Sequence, residues 1–321
     1  MCSGTVVRIA GKMSAWSFLR SPQVRQHPVR LGSRRVLLEV ERRLGGGWPV
    51  RERVAEIAPG VRMHLRLDDL IERHIYVYGL FEYEVVTAMM SLLTPGMNVA
   101  DVGANVGQYS LLAASRVGSA GTVLAFEPNP PVFERLRRNV ELNEFTNVRT
   151  ESIALAATAG AASLHVPLHD QFGAAGWASL GAFSGVPEQE IPIEVATLDQ
   201  RAAEHGLEIG LVKIDVEGFE ADVLRGASEV LRRSHPVVIF EVHSVRPDGG
   251  ADEIDLLRAS GYGVFRIAVN SAGRVQLAAL HEGEDARPAP TSADWEAINL
   301  VALHPEGPRQ HAFGQPGDRA P

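Results

Sequence analysis

Val99-Ala100-Asp101-Val102-Gly103-Ala104-Asn105-Val106-Gly107-Gln108 is the stretch on which the reading of this chain turns. It joins a short apolar strand over 97–102 to an amphipathic helix over 108–115. Glycine at 103 and 107 lets the chain turn sharply and leaves its backbone open to close approach. The first turn of the following helix aims unpaired amides back at the loop. The pattern is G-x-x-x-G, whereas a dinucleotide loop reads G-x-G-x-x-G. Asp101 stands two residues before the first glycine. A carboxylate there suits a cationic ligand better than a pyrophosphate. The competing reading is a plain helix-start turn with Asp101 bonded to backbone.

Downstream, a second strand over 122–127 ends Ala125-Phe126-Glu127-Pro128-Asn129. A carboxylate at that strand end can accept both hydrogen bonds of a ribose diol, as in related α/β folds. Asp101, the two glycines and Glu127 together describe a nucleoside carrying positive charge and no phosphate. S-adenosylmethionine, with its sulfonium and amino groups, fits that description. Asn129 is positioned to cap the next helix, with Pro130 at its first position. Strands are then expected over 148–155, 162–166, 191–195, 211–215, 237–242, 262–267 and 298–303, and helices over 219–232 and 252–260. The 237–242 run is apolar throughout, as a central parallel strand should be. Short apolar strands alternating with amphipathic helices predict an α/β fold with a mostly parallel sheet. Its ligands belong at the carboxyl ends of the strands.

Upstream, the spacing predicts a helix over 33–44, a strand over 60–67 from its two-residue alternation, and a helix over 82–93. The expected organisation is a basic, partly helical extension over 1–58, one domain over 59–304 and a frayed tail over 305–321.

Composition narrows the classes. The 321 residues carry 31 basic and 39 acidic side chains, for a formal net charge of −8. Residues 1–75 hold 14 basic and 7 acidic residues, so the remainder is strongly acidic. An acidic body argues against a nucleic-acid partner. The basic start is open to docking on that body, or to an anionic partner or membrane surface. The single cysteine, Cys2, excludes a disulfide framework and a cysteine-rich zinc site. No apolar run approaches the roughly 20 residues of a membrane helix, and the start lacks the pattern of an export signal. A cytoplasmic location is expected; nothing bears on oligomeric state.

Several runs resemble the FkbM-type methyltransferases: Asp101–Ser110 as DVGANVGQYS, 126–143 as FEPNPPVFERLRRNVELN, and 212–218 as VKIDVEG. The resemblance extends through Val223-Leu224-Arg225-Gly226 and Phe240-Glu241-Val242-His243, and upstream to Tyr78-Gly79-Leu80-Phe81-Glu82. It covers roughly residues 60–304. It implies a Rossmann-like class I methyltransferase fold, with a seven-stranded sheet and helices on both faces. It further implies S-adenosylmethionine as cofactor and O-methylation of a sugar, glycolipid or polyketide-type natural product. On that basis Asp101, Gly103, Ala104, Asn105, Gly107, Glu127 and Ser152 are the expected cofactor residues; the adenine contact at Ser152 follows the third strand.

The acceptor side falls to two strand ends. Alternation puts Lys213, Asp215 and Glu217 on one side if the strand extends that far. The other reading of this cluster is an internal ion pair followed by a helix cap. Glu241 and His243 share a face, and a histidine oriented by a carboxylate can take a proton near neutral pH. His243 is the first candidate for general base, with Asp215 and Glu217 after it and Glu241 beside it. Asp215, Glu241 and His243 could instead hold Mg²⁺ or Mn²⁺, but no spacing is diagnostic and no metal is assigned. The glycine-rich excursion over 170–189, with Phe172, Trp177 and Phe183, reads as a substrate-contacting loop or a plain surface loop. Two other functions stay open: a nicotinamide-dependent oxidoreductase, and a non-catalytic nucleoside-binding module of the same fold.

Overall fold

The computed structural model describes residues 52–168, 179–181, 187–243, 253–269, 275–281, 284 and 297–308. The expected helix over 33–44, Phe172, Trp177 and Phe183 of the excursion, and the side chain of His243 lie outside the described residues.

The chain begins with a hairpin. Strand β1 (Glu52–Ala58) pairs antiparallel with β2 (Val61–Arg66), so regular pairing starts inside the segment read as an extension. Helices α1 (Leu70–Tyr78) and α2 (Tyr83–Leu92) follow. The alternation then runs β3 (Asn98–Val102), α3 (Gln108–Val117), β4 (Val123–Phe126), α4 (Pro130–Leu142) and β5 (Val148–Glu151). After β6 (Ala154–Leu155), β7 (Gly160–Pro167) and β8 (Glu188–Ala196) come α5 (Leu198–His205) and β9 (Ile209–Ile214). The last elements are α6 (Glu220–Arg225), α7 (Ser228–Ser234), β10 (Val237–His243), α8 (Glu253–Ala259), β11 (Gly263–Val269), β12 (Val275–Ala279) and β13 (Ala297–Leu303).

The main sheet has eight strands in the order β12-β11-β13-β10-β9-β3-β4-β5. Strands β10, β9, β3, β4 and β5 are mutually parallel, and β13 inserts antiparallel between β10 and β11. This is the α/β class read from the sequence, in a Rossmann-like arrangement. The eighth strand is β12, a hairpin partner of β11 at the sheet edge.

Alternate residues of each central strand feed two cores. Val99, Leu211, Ile239 and Val301 pack with α1–α4 on one face. Ala100, Val212, Val238 and Leu300 pack with α5–α8 on the other. The side-chain period of two makes this division automatic.

Two expected elements are broken. The strand over 148–155 splits: β5 joins the main sheet, whereas β6 joins β8 and β7 in a separate three-stranded sheet. The helix over 219–232 splits into α6 and α7 at Gly226-Ala227. A Cβ at Gly226 would lie 2.0 Å from the Ala156 carbonyl oxygen, so the bend belongs to a close backbone crossing that only glycine permits.

The hairpin docks onto α4 through two asparagines. Asn143 Oδ1 accepts from the Arg62 amide at 2.8 Å, and Asn139 Oδ1 accepts from the His64 amide at 2.7 Å. Asn139 Nδ2 also donates to the Val106 carbonyl at 2.9 Å. Hairpin, helix and glycine loop are therefore held through one buried amide. Among the described residues, no helix is long and apolar enough to cross a membrane.

Candidate functional site

The glycine loop is bent across the ends of three strands. The amides of Gly103 and Ala104 both donate to the Phe126 carbonyl, at 3.0 and 2.9 Å, tying the turn to the end of β4. Gly103 has φ +80°, and a Cβ there would lie 1.8 Å from the Asp215 carbonyl oxygen. Asp215 in turn donates its amide to the Val102 carbonyl at 3.0 Å. The turn thus lies directly on the end of β9, and glycine at 103 is obligatory. Gly107 caps α3 at φ 96°.

Asp101 is enclosed, with 2% exposure. Its Oδ2 accepts from the Ser110 hydroxyl at 2.5 Å. Burial pushes its carboxyl up to about 6, against the opposing pull of Ser110 and Lys213. Glu127, at 7% exposure, accepts from the Asn105 amide on Oε2 and from the Asn129 amide on Oε1, each at 2.9 Å. Burial pushes it up to about 7; the two amides oppose this, and the charge of Asp101 adds to it. A carboxylate offers about four acceptor positions, so each oxygen of Glu127 retains capacity for a hydroxyl donor. Asn129 starts α4 with no side-chain cap bond; the Val132 amide that such a cap would bond donates instead to the Asn129 carbonyl at 3.0 Å. Ser152 is exposed one residue beyond β5. Its neighbour Glu151 is engaged by His205 at 2.7 Å and Arg201 at 3.5 Å.

The second cluster lies on the same face of the sheet. Going toward their exposed ends, the strands change from apolar to polar: Val99 gives way to Asp101, Leu211 to Lys213, Ile239 to Glu241 and Val301 to Asn299. The register aligns Asp101 with Lys213 and Glu241 with Asn299. Lys213 is 1% exposed and bonds Asp215 Oδ2 at 3.1 Å. Its ammonium lies 5.0 Å from the centre of the Tyr109 ring. Burial pulls the Lys213 proton affinity down, but Asp215, Glu82 and Glu241 outweigh it and hold the ammonium above its ordinary range. Glu217 departs from the strand alternation: β9 ends at Ile214, and Glu217 has φ 52°. Its carbonyl accepts from Ser179 Oγ at 3.0 Å. Glu220 ties this loop instead: its Oε1 accepts from the Val216 and Gly218 amides at 3.2 Å each. Lys213, Asp215 and Glu241 are thus brought together, while Glu217 stands at the rim.

Sequence reasoning missed three members of this layer. Glu82, with φ 48° in the left-handed region, starts α2 without a side-chain cap bond. Its Oε2 accepts from the Tyr109 hydroxyl at 2.6 Å and its Oε1 from Asn299 Nδ2 at 2.8 Å. Burial raises the carboxyl of Glu82, and burial with the neighbouring Glu82 charge raises the Tyr109 hydroxyl. The Gln108 side chain clamps the backbone of Phe81 through bonds of 2.7 and 3.0 Å, which straps this upstream run onto α3. The run Tyr78–Glu82 was the available signal for Glu82. Asn299, 217 positions away in sequence, had none.

The site therefore has two halves. One is a glycine turn between two buried carboxylates. The other is a layer of carboxylates around one buried ammonium.

A family model described as the Methyltransferase FkbM domain matches residues 101–264, from Asp101 to Val264. The chain belongs to the FkbM methyltransferase family. Among its relatives, the 31-O-demethyl-FK506 methyltransferase FkbM of Streptomyces tacrolimicus is 34% identical over 198 residues, covering 54% of this chain and 75% of that protein. The AMB antimetabolite synthetase AmbE of Pseudomonas aeruginosa is 31% identical over 274 residues, 72% of this chain but 12% of that protein. The hexuronic acid methyltransferase AglP of Haloferax volcanii is 29% identical over 145 residues, 45% of this chain and 55% of that protein. This FkbM-family chain thus spans only part of each of these relatives.

Proposed function

We propose that this FkbM-family chain is an S-adenosylmethionine-dependent O-methyltransferase acting on a hydroxyl of a sugar, glycolipid or polyketide-type natural product. The observation that carries it is the buried Glu127 carboxylate, fixed by two backbone amides at the end of β4 beside the Gly103 turn. Asp101, Gly103, Ala104, Asn105, Gly107 and Glu127 would hold the cofactor, with Ser152 at its adenine end. The residues fit this group: two buried acids suit a cation, and the loop offers no side-chain cation for a phosphate. When bound, S-adenosylmethionine supplies an activated methyl group.

The chain's own part is to hold the acceptor oxygen in line and exclude water, which can lower a barrier by roughly 7–11 kcal/mol. Asp215, Glu241 and Glu82 present carboxylates that can accept the acceptor's hydroxyl proton; Glu217 and His243 complete the proposed acceptor side. Lys213 keeps its proton and serves as a fixed positive charge among these acids. The family match favours this reading over a nicotinamide oxidoreductase. Incubation of the full chain with methyl-labelled S-adenosylmethionine and a panel of macrolide, neutral-sugar and uronic-acid hydroxyl compounds tests it. Label recovered as a base-stable, ether-linked methyl group supports the assignment. Label recovered as a base-labile ester, or on nitrogen, contradicts O-methylation of a hydroxyl.

A further inference from the structure

We infer that Asn299 binds a second hydroxyl of the acceptor, beside the one that receives the methyl group, so that the substrate class is a vicinal diol. This rests on the methyl-transfer reading above and names what its acceptor side recognises. Asn299 lies on β13, the antiparallel strand inserted between β10 and β11. It is the one polar residue of that strand, AINLVAL. Val301, two residues on, shares its face and packs in the core. A polar side chain at this place therefore needs a reason.

The amide of Asn299 is half used. Its Nδ2 donates to Glu82 Oε1 at 2.8 Å. An ionised carboxylate only accepts, so this bond fixes which end of the amide is nitrogen. Oδ1 is shut off from solvent and, among the described residues, has no donor. A buried acceptor left unpaired costs stability, and native structures keep few of them. Glu72, Arg135 and Arg201 also hold buried atoms without a hydrogen bond, but each faces an opposite charge. Asn299 is neutral and has no such compensation. The residue as a whole is partly exposed, which places its amide at the edge of the polar layer and not deep in the core.

Its partner is held rigidly. Glu82 accepts from the Tyr109 hydroxyl at 2.6 Å on its other oxygen and has φ 48°, a backbone conformation that non-glycine residues keep where a site requires it. Glu82 and Asn299 thus present a carboxylate and an orphan carbonyl side by side. A hydroxyl donates one hydrogen bond, so two adjacent acceptors are met by two hydroxyls. On one small molecule, hydroxyls on neighbouring carbons meet that spacing. One loses its proton to the carboxylate layer; the other donates to Asn299 Oδ1. A site built to pair a hydroxyl rejects the analogue that lacks it, because its own polar atom then stays unpaired.

The test uses labelled S-adenosylmethionine and the full chain. The methyl pyranosides and macrolide diols of the panel above are each compared with the analogue in which the neighbouring hydroxyl is removed. The inference expects the parent protein to methylate diols and to lose at least about tenfold in kcat/KM on the deoxy analogues. Asn299→Ala should lose as much on the diol, while its value for the deoxy analogue stays within about twofold of the parent's. Equal turnover of diol and deoxy analogue by the parent, or an equal loss on both in Asn299→Ala, overturns the inference; an equal loss is what a merely structural role would give. Thermal melts identify misfolding, and if Asn299→Ala misfolds, the diol comparison in the parent decides. Transfer to none of the diols also overturns it. Calorimetry with S-adenosylhomocysteine then separates the two failures: binding without transfer sinks the diol alone, and no binding sinks the methyl-transfer reading as well.

Discussion

Glu127 is held above its ordinary proton affinity by burial, up to about 7. A ribose diol donates to a carboxylate and gains little from a carboxylic acid. Affinity for S-adenosylhomocysteine should therefore rise as pH increases from 5.5 toward 7 and level off above it, approaching tenfold per unit well below the transition. Glu127→Gln should flatten this profile and weaken binding at pH 8 by more than about 1 kcal/mol; fluorescence or calorimetric titration across pH reads both. The stability of the ligand-free protein has the opposite sign. Asp101 and Glu127 are raised relative to the unfolded chain. Their contribution is fully present below pH near 4 and is lost as pH rises through about 6 to 7. Lys213 makes a separate prediction. Lys213→Met removes the buried ammonium that faces Asp215, Glu82 and Glu241 and should cost about 3 kcal/mol in chemical denaturation. A loss below 1 kcal/mol would show that the carboxylates do not depend on it.

At the scale of elements, the glycine loop is fixed by its neighbours. Gly103→Ala would drive a Cβ into the Asp215 carbonyl at a positive φ. It should destabilise the fold by about 3 kcal/mol and abolish nucleoside binding, whereas an alanine at Gly160, where a Cβ meets nothing, should be silent. Urea melts of the two variants separate a specific close approach from a general intolerance of substitution. The order β3-α3-β4-α4 was legible because period, caps and glycines agreed there. The breaks at 152–153 and 226–227 were not, because each comes from a contact made only after folding: β6 pairs with β8, and Gly226 meets Ala156. Of the candidate site, Asp101 and Glu127 were readable from strand-end position, and Asn105 from the resemblance of the loop. Glu82, Tyr109 and Asn299 were not, since Glu82 and Tyr109 come to Lys213 only through helix packing, and Asn299 reaches Glu82 only from an inserted antiparallel strand.

At the scale of the whole molecule, the polar layer crosses the ends of the central strands, so a ligand there should stabilise all of the sheet. Saturating S-adenosylhomocysteine at a hundred times its dissociation constant should add about 2.7 kcal/mol to the unfolding free energy and raise the melting temperature by several degrees. NADH at equal concentration should leave it unchanged; a shift with NADH and none with S-adenosylhomocysteine would reverse the assignment. The central claim is that buried acids at the ends of β3 and β4 grip a sulfur nucleoside. Isothermal titration of the full chain with S-adenosylhomocysteine at pH 8 tests it most directly. The account predicts one saturable site per chain with a dissociation constant in the micromolar range or tighter. An absence of binding heat with 1 mM ligand, confirmed by equilibrium dialysis, would contradict it.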